Sequence, residues 1–589
     1  MKKRGIAFAL MLCLALTLAT PAWAAGNSGS ITERNTLSGD YYIKTDGTLW
    51  KLSDQSTGRP VKIASGIRSV HADANLQAVV KTDGTIVSNF KKSRGDPNAP
   101  WSVDAPYQEK PRVGNATYVS CGSNNMGVVT KDGVLWMWGR VPNPYTEGPY
   151  QNYDSIDTDV PEFKDPYGNK ALRVMDNVAA FCANQEFTAA IRTDGTLWTW
   201  GRSDFGALGN GGIQDKTGVF IKWVRTPAKI LDHVTQVSLG RTFGAAITTD
   251  GSLYVWGSNS AGQQGNGQSG DGTIDMKTRQ YTPGNEVLRP VKRMENVVRV
   301  ACYEDNIAAI TADGSLYVWG ESYRGVVGNG STWLVTTPAK VMDGVVDVSF
   351  IPGGVSRGTL ALKRDGTLWA WGKASLLGQG KDFAGNDEVH VRGTMFTDGE
   401  RLQTVPIQVA EGVALPSYCT PSNWAKADVE AAVNEGLVPE KLRSSYTQSA
   451  TRSEFCALAA ALYEKELGEI AERKTFSDTQ DASVEKMAAL GVVNGVGGGK
   501  FSPDAKLTRE QAATMLARLG EAMGRPIPAR EPTFADGGSI SSWAKAAVGQ
   551  MQQSGVMNGV GGNKFSPAGE YTREQSIVTM LRMLSYLKG

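Results

Sequence analysis

One phrase recurs seven times between Asp46 and Asp365, and it limits the possible folds more than any other feature of the chain. The copies read TDGTLW at Asp46, TDGTIV at Asp83, KDGVLWMWG at Asp132 and TDGTLWTWG at Asp194. They continue as TDGSLYVWG at Asp250, ADGSLYVWG at Asp313 and RDGTLWAWG at Asp365. Successive aspartates lie 37, 49, 62, 56, 63 and 52 residues apart. A strand-like unit of such a period marks a propeller or a solenoid. In the fifth copy, VTQVSLG alternates apolar and polar residues as a strand does, and FGAAITT follows as a second strand. Asp250-Gly251 is a hairpin signal, because a tight primed turn needs the positive φ that Asp and Gly tolerate. SLYVWG makes a third strand, and Pro290 to Met294 reads as a strand opening the next unit. Four antiparallel strands per unit is the content of a propeller blade. The first copy lacks the preceding strands, and an orphan strand follows the last copy at residues 406–413. The two are expected to complete one another and close a seven-bladed ring without exposed sheet edges.

The chain's 589 residues have room for about two to four domains. Lys2, Lys3 and Arg4 precede an apolar run from Ile6 to Leu18, and Ala22-Trp23-Ala24 offers a cleavage site, so a secretory signal is expected. Leu12 before Cys13 argues against a lipoprotein anchor. No later stretch is apolar for the ~20 residues of a membrane helix, so no membrane insertion is expected after signal removal. Net charge is +2, from 61 basic and 59 acidic residues spread along the chain, without the basic stripe that nucleic-acid binding needs. Cys121, Cys182, Cys302, Cys419 and Cys456 are odd in number and lack disulfide spacing, so they are expected to act as small buried hydrophobes.

The phrase D-G-x-L-Y/W-x-W-G, followed by G-x-x-G-N-G at Gly206 to Gly211 and Gly262 to Gly267, resembles the regulator of chromosome condensation repeat across roughly residues 37–413. The resemblance implies a seven-bladed propeller that binds proteins. It does not carry over the nuclear members' exchange activity or the β-lactamase inhibition of some secreted bacterial members, because fold does not fix function. In such a ring all Asp-Gly hairpins share one face, while the inner turns and the long loops after Trp-Gly share the other. The expected ligand face therefore carries Asn124, Glu186, Phe187, Arg241, Phe243, Tyr303, Glu304 and Asp305. The loop from Arg140 to Lys170 adds Tyr145, Tyr150, Tyr153, Phe163 and Tyr167, aromatic anchors of the kind used at protein and carbohydrate interfaces. His71, His233 and His390 share no metal-ligand spacing, and neither a nucleophile elbow nor a phosphate-cradling loop is present. No metal, cofactor or catalytic residue is expected.

After Gly412 the period changes from two residues to helical. Thr451-Arg452-Ser453-Glu454, Thr508-Arg509-Glu510-Gln511 and Thr572-Arg573-Glu574-Gln575 each open an apolar helical run. In the last two units NGVGGGKFSP and NGVGGNKFSP precede the motif. Thr-x-x-Glu/Gln is a capping box. Capping leaves unexplained an arginine at the first helical position, where the helix dipole disfavours a cation, although an anionic ligand would suit it there.

This region resembles three surface-layer homology domains. The resemblance implies grooves between repeats that hold a pyruvylated secondary cell-wall polysaccharide, with Arg452, Arg509 and Arg573 as key residues. A ketal carboxylate would pair with guanidinium and free backbone N–H groups. Trp424, Trp543, Asp478, Asp536 and Gly559 are the further implied binding residues. Repeat two has no Trp at the matching helix start, and repeat one replaces the glycine turn with GLVPEKLRSSYTQSA. Three equally competent grooves are therefore not expected.

The expected fold is multidomain: an all-β seven-bladed propeller followed by an α-rich three-repeat region. A signal peptide spans 1–24, a linker 25–36, the propeller 37–413, a second linker 414–422, and the repeats 423–467, 475–524 and 533–587. The expected function is a secreted, non-enzymatic surface protein, held by its C-terminal repeats while the propeller meets an unidentified extracellular protein or glycan. A propeller enzyme acting on wall or extracellular glycans and an inhibitor of a secreted enzyme are the alternatives.

Overall fold

The computed structural model describes residues 29–30, 36–54, 56–72, 76–82, 86–90, 116–121, 125–139, 172–184, 187–212, 223–274, 281–352, 357–388, 400–439, 442–443 and 445–588. The expected signal peptide, Asp83, Asn124, Glu186, His390 and the Arg140–Lys170 loop lie outside them. Among the described residues the N-terminal region forms antiparallel sheets: four of four strands, two of five, one of three and one of two.

The repeated phrase builds each sheet through three local devices. Asp194 accepts from the Thr196 backbone N–H at 2.9 Å and from Thr196 Oγ1 at 2.6 Å, and Trp198 Nε1 donates to Thr196 Oγ1 at 2.8 Å. The same set recurs at Asp46–Thr48–Trp50 and Asp365–Thr367–Trp369. These bonds, the Thr196 hydroxyl foremost, hold the Asp194 carboxyl below its usual range. Second, each hairpin docks on the next sheet: Val234 N donates to Gly195 O and Val297 N to Gly251 O, both at 2.8 Å. Third, in three of the sheets the buried tryptophan of the Trp-Gly pair reaches back into the preceding glycine-rich loop. Trp256 Nε1 donates to Ala207 O, Trp319 Nε1 to Gln263 O and Trp371 Nε1 to Val326 O. A Cβ at Gly328 would lie 2.4 Å from Trp371 Nε1, which explains the glycine there.

Two expectations about strand grouping are corrected. The Pro-x-x-Val strand does not open the next unit. Val287–Met294 pairs with Leu253–Gly257 as the outer strand of its own sheet. For the same reason the orphan strand belongs to the last sheet, where Arg401–Ala410 pairs with Leu368–Lys373. Contact with the first sheet comes just beyond it. Val413 bridges Lys44, Thr45 N donates to Gly412 O, and Ala414 N donates to Ile43 O. Leu37, Tyr42 and Leu52 of the first sheet share a core with Leu360, Leu362 and Leu368 of the last.

The C-terminal region is helical, with six helices among the described residues: α1 (Lys426–Asn434), α2 (Arg452–Leu467), α3 (Ala482–Ala489), α4 (Arg509–Ala522), α5 (Lys545–Gln553) and α6 (Arg573–Lys588). Each long helix packs on the short helix of the following repeat: α2 on α3, α4 on α5, and α6 back on α1. A backbone ring closes the centre. Ala450 N donates to Tyr571 O, Tyr571 N to Leu507 O, and Leu507 N to Ala450 O, at 2.8 to 3.1 Å. One core runs through all three repeats. Between the two regions, Cys419 is buried in the core shared by the first and last sheets, Tyr418 Oη donates to Val346 O at 2.9 Å, and Arg299 lies 5.1 Å from the Tyr418 ring. Cys182, Cys302, Cys419 and Cys456 are buried, and the last three are free thiols.

Candidate functional site

Cyclic closure brings residues of all three repeats to one groove. A cleft of about 390 Å³ is lined by Trp424 of repeat one, Arg509 of repeat two, and Asn558, Gly559, Gln575 and Arg582 of repeat three, among others. Trp424 is 56% exposed and Trp543 57%, so both indoles present faces to solvent at helix starts. The serine two residues before each is held by a carboxylate. Glu574 accepts from Ser422 N at 2.9 Å and Ser422 Oγ at 2.8 Å, and Glu510 accepts from Ser541 N and Ser541 Oγ at 3.0 Å. Repeat one has Ser453 where these glutamates stand, and repeat two has no Trp for such a carboxylate to support.

The three motif arginines do not share one environment. Arg509 is only 5% exposed; its Nε donates to Phe565 O and its Nη2 to Asn558 O, both at 2.7 Å, and the guanidinium lies 4.9 Å from the Phe565 ring. Arg452 repeats this one junction earlier, with Nε to Phe501 O at 3.1 Å, Nη2 to Asn494 O at 2.8 Å, and the Phe501 ring at 4.4 Å. Burial lowers both pKa values from the ordinary arginine range. Arg573, 7% exposed, instead pairs with Glu454 at 2.5 Å.

The expectation that free helix N-terminal N–H groups await a carboxylate is corrected. Arg452 N and Ser453 N donate to Ala505 O and Pro503 O, Arg509 N and Glu510 N to Gly569 O and Pro567 O, and Arg573 N and Glu574 N to Gln448 O and Tyr446 O. The third donors are taken within the capping boxes, by Thr451, Thr508 and Thr572. The neighbouring repeat fills these sites because the ring closes through the same segments.

Asp478 and Asp536 are likewise engaged. Asp478 accepts from Phe501 N and Ser502 N at 2.7 and 2.8 Å, and Asp536 from Phe565 N and Ser566 N, both at 2.8 Å. They shape the glycine turns rather than the groove surface. The Phe501 N–H bond is the main reason the Asp478 carboxyl lies below its usual range. At Gly559 a Cβ would stand 2.7 Å from Lys564 O, so the turn requires glycine. Arg582 was not singled out in the sequence. The signal for it was its correspondence with Arg518, each ten residues after its capping threonine.

The expected propeller ligand face fares differently. Phe187 and Phe243 are 1% and 0% exposed and are corrected to core residues: their side chains begin the second strand of a sheet and turn between sheets. Tyr303 is partly buried against a neighbouring core. Arg241 pairs with Asp305 at 2.7 Å and approaches Glu304 at 3.8 Å, joining the inner turns of adjacent sheets. Nearby, burial pushes the Glu321 carboxyl up to about 7, helped by the charge of Asp305. No group of three metal-ligating side chains occurs among the described residues, and no described helix is long and apolar enough to cross a membrane.

Comparison with known proteins agrees with this division. Residues 194–247 and 234–263 match regulator of chromosome condensation (RCC1) repeats, and residues 477–513 and 533–575 match the S-layer homology domain. The chain is 28% identical over 265 residues to the mouse E3 ubiquitin-protein ligase HERC2, covering 44% of this chain and 5% of that protein. It is 26% identical over 288 residues to the Arabidopsis thaliana ultraviolet-B receptor UVR8, covering 48% of this chain and 59% of the receptor. Among solved structures, human WBSCR16 aligns with TM-score 0.41 at 17% identity, covering 60% of this chain and 84% of that one. Yeast RCC1 (Prp20) bound to Kap60 aligns with TM-score 0.34 at 17% identity, covering 50% and 63%. The chain thus spans less than two thirds of the length of either relative. RCC1-like and S-layer homology domains are mostly non-catalytic binding modules, although HERC2 is a ligase. S-layer homology domains bind cell-wall polymers in general and indicate association with the cell surface.

Proposed function

We propose that this chain, which carries RCC1 repeats followed by S-layer homology domains, is an exported, non-enzymatic surface protein. Its C-terminal grooves hold it noncovalently to a pyruvylated secondary cell-wall polysaccharide, and a seven-bladed propeller is presented to an extracellular protein or glycan. The observation that carries the anchoring reading is the groove at Arg509. It combines a buried guanidinium without an ion-pair partner among the described residues and an exposed Trp424, a pairing that suits a carboxylate-bearing sugar. Several weak contacts along one polymer would add to firm retention. The seven-blade reading is supported by the succession of sheets of three or more strands and by the Val413–Lys44 bridge between the chain segments at the two ends of the series.

The test is co-sedimentation of the full chain with purified walls before and after their polysaccharide is stripped, and after mild acid removes the ketal. The chain is expected to pellet with intact walls and to stay in solution with both treated samples. Unchanged pelleting on stripped walls would contradict the anchoring reading.

A further inference from the structure

The three junctions between repeats differ at one isosteric position. The third residue of each long helix closes its capping box, and it is Glu454 in α2 but Gln511 in α4 and Gln575 in α6. At two junctions that residue meets the motif arginine of the preceding repeat, and cyclic order sets Gln511 against Arg452 in the same way. At the first junction Arg573 meets Glu454 at 2.5 Å, an ion pair within the chain. At the third, Gln575 lines the same groove as Arg509. A glutamine there supplies the same cap to the Thr572 N–H, at 3.1 Å, and no charge.

The consequence is electrostatic. A buried cation without a counter-charge is costly, and a buried pair broken on one side more so. Arg452 and Arg509 form no ion pair among the described residues. The carboxylates whose charge they feel, Asp478 and Asp536, are spent on backbone N–H groups. Two nitrogens of each guanidinium clamp a glycine turn, while Nη1 makes no bond among the described residues. The other members of the junctions vary in step. Trp424 stands at the Arg509 groove, and cyclic order puts Trp543 at the Arg452 groove. Arg582 and Arg518 stand on the helices of these two, where α2 has Ala461. The Asn494 amide, oriented so that both its ends are satisfied, accepts from Arg518 Nη1 at 3.2 Å, which ties Arg518 to the Arg452 turn.

Resting on the anchoring reading above, we infer that the region has two anion-receiving grooves rather than three. Glutamine at the third helical position leaves Arg509 and Arg452 to take a ligand carboxylate, whereas Glu454 occupies Arg573 from within. Gln511 and Gln575 are therefore specificity-determining positions, and each groove takes one monoanionic, carboxylate-bearing sugar.

The experiment is calorimetric titration of the full chain with wall-polysaccharide fragments carrying a single pyruvate ketal. Two sites per chain are expected for the natural sequence, one for Gln575→Glu, one for Gln511→Glu and none for the pair. Each variant places a carboxylate where α2 already accommodates one, so folding is retained, and thermal unfolding checks this. At the altered groove the affinity should fall at least about tenfold, the value of a single charge-assisted hydrogen bond. Three sites in the natural sequence, or unaltered binding by folded Gln575→Glu and Gln511→Glu, would overturn the inference and leave the anchoring reading standing. Absence of any binding by the natural chain would remove both.

Discussion

The sheet region and the helical region handle buried charge in opposite ways. Among the sheets, the two buried or nearly buried arginines that face carboxylates are paired within the chain: Arg299 with Asp347 at 3.0 Å and Arg324 with Glu400 at 2.8 Å. In the helical region only Arg573 of the three motif arginines does so. A repeated motif is thus poor evidence of function by itself. The described Asp-Gly phrases are engaged in turns and packing, whereas the Thr-Arg motif leaves two guanidinium charges that no described carboxylate pairs. The informative quantity is what remains unsatisfied after the structural role has been subtracted.

The largest effect that would sharpen this contrast is on wall binding. Arg452→Ala combined with Arg509→Ala removes two charge-assisted contacts of about 1.5–3 kcal/mol each, so affinity for intact walls should fall by a hundredfold or more. Pelleting isotherms of the folded variant would show it. Next is Trp319→Ala, which empties a fully buried site between two sheets. About 3–5 kcal/mol of propeller stability should be lost, visible by calorimetry as a lower transition, while wall affinity stays unchanged.

A pH scan separates the regions further. Burial lowers the pKa of His71 to about 4, from 6.5. Between those values the unfolded chain binds a proton that the native chain refuses, so the His71 contribution to stability falls as pH drops through this window. Glu321, with its carboxyl raised to about 7, contributes in the opposite direction. The His71 contribution reaches about 3 kcal/mol at the lower end, and it is read as the pH-dependent difference in stability between the natural chain and His71→Leu. The helical region contains no histidine, so its transition should stay level between about pH 6.5 and 5. The smallest expected effect is Thr196→Val. It deletes the hydroxyl between Asp194 and Trp198, and about 1 kcal/mol of propeller stability should go with it in a denaturant titration.

Much of this was legible in the sequence because it is local. Asp250-Gly251 announces its hairpin, and Thr508 with Gln511 its capping box, since the partners lie within a few residues. Only Gly251 of the first pair takes a positive φ, however, and the three-residue loop is not the primed turn expected. What depends on closure was not. Nothing along the chain says that Trp424, Arg509 and Gly559 meet, because the groove exists only once α6 has packed on α1. Phe187 and Phe243 were misplaced for a related reason. A residue at a strand's first position turns inward or outward according to the sheet beside it, and alternation alone does not set that choice. The outer strands were assigned to the wrong unit because a Pro-x-x-Val segment follows a long loop, and only register shows that it returns to its own sheet. Gln511 and Gln575 passed as capping residues, since the charge they omit matters only against an arginine from another repeat.

The most direct test of the account places one residue from each region side by side. Wall-binding isotherms would be measured for the full chain, for Arg509→Ala and for Arg241→Ala, all verified as folded. The account expects Arg509→Ala to weaken binding at least about tenfold. Arg241→Ala, which breaks an ion pair internal to the sheets, should superimpose on the unaltered chain. Equal loss from both variants, or loss from Arg241→Ala alone, would place the wall ligand on the propeller and contradict the assignment.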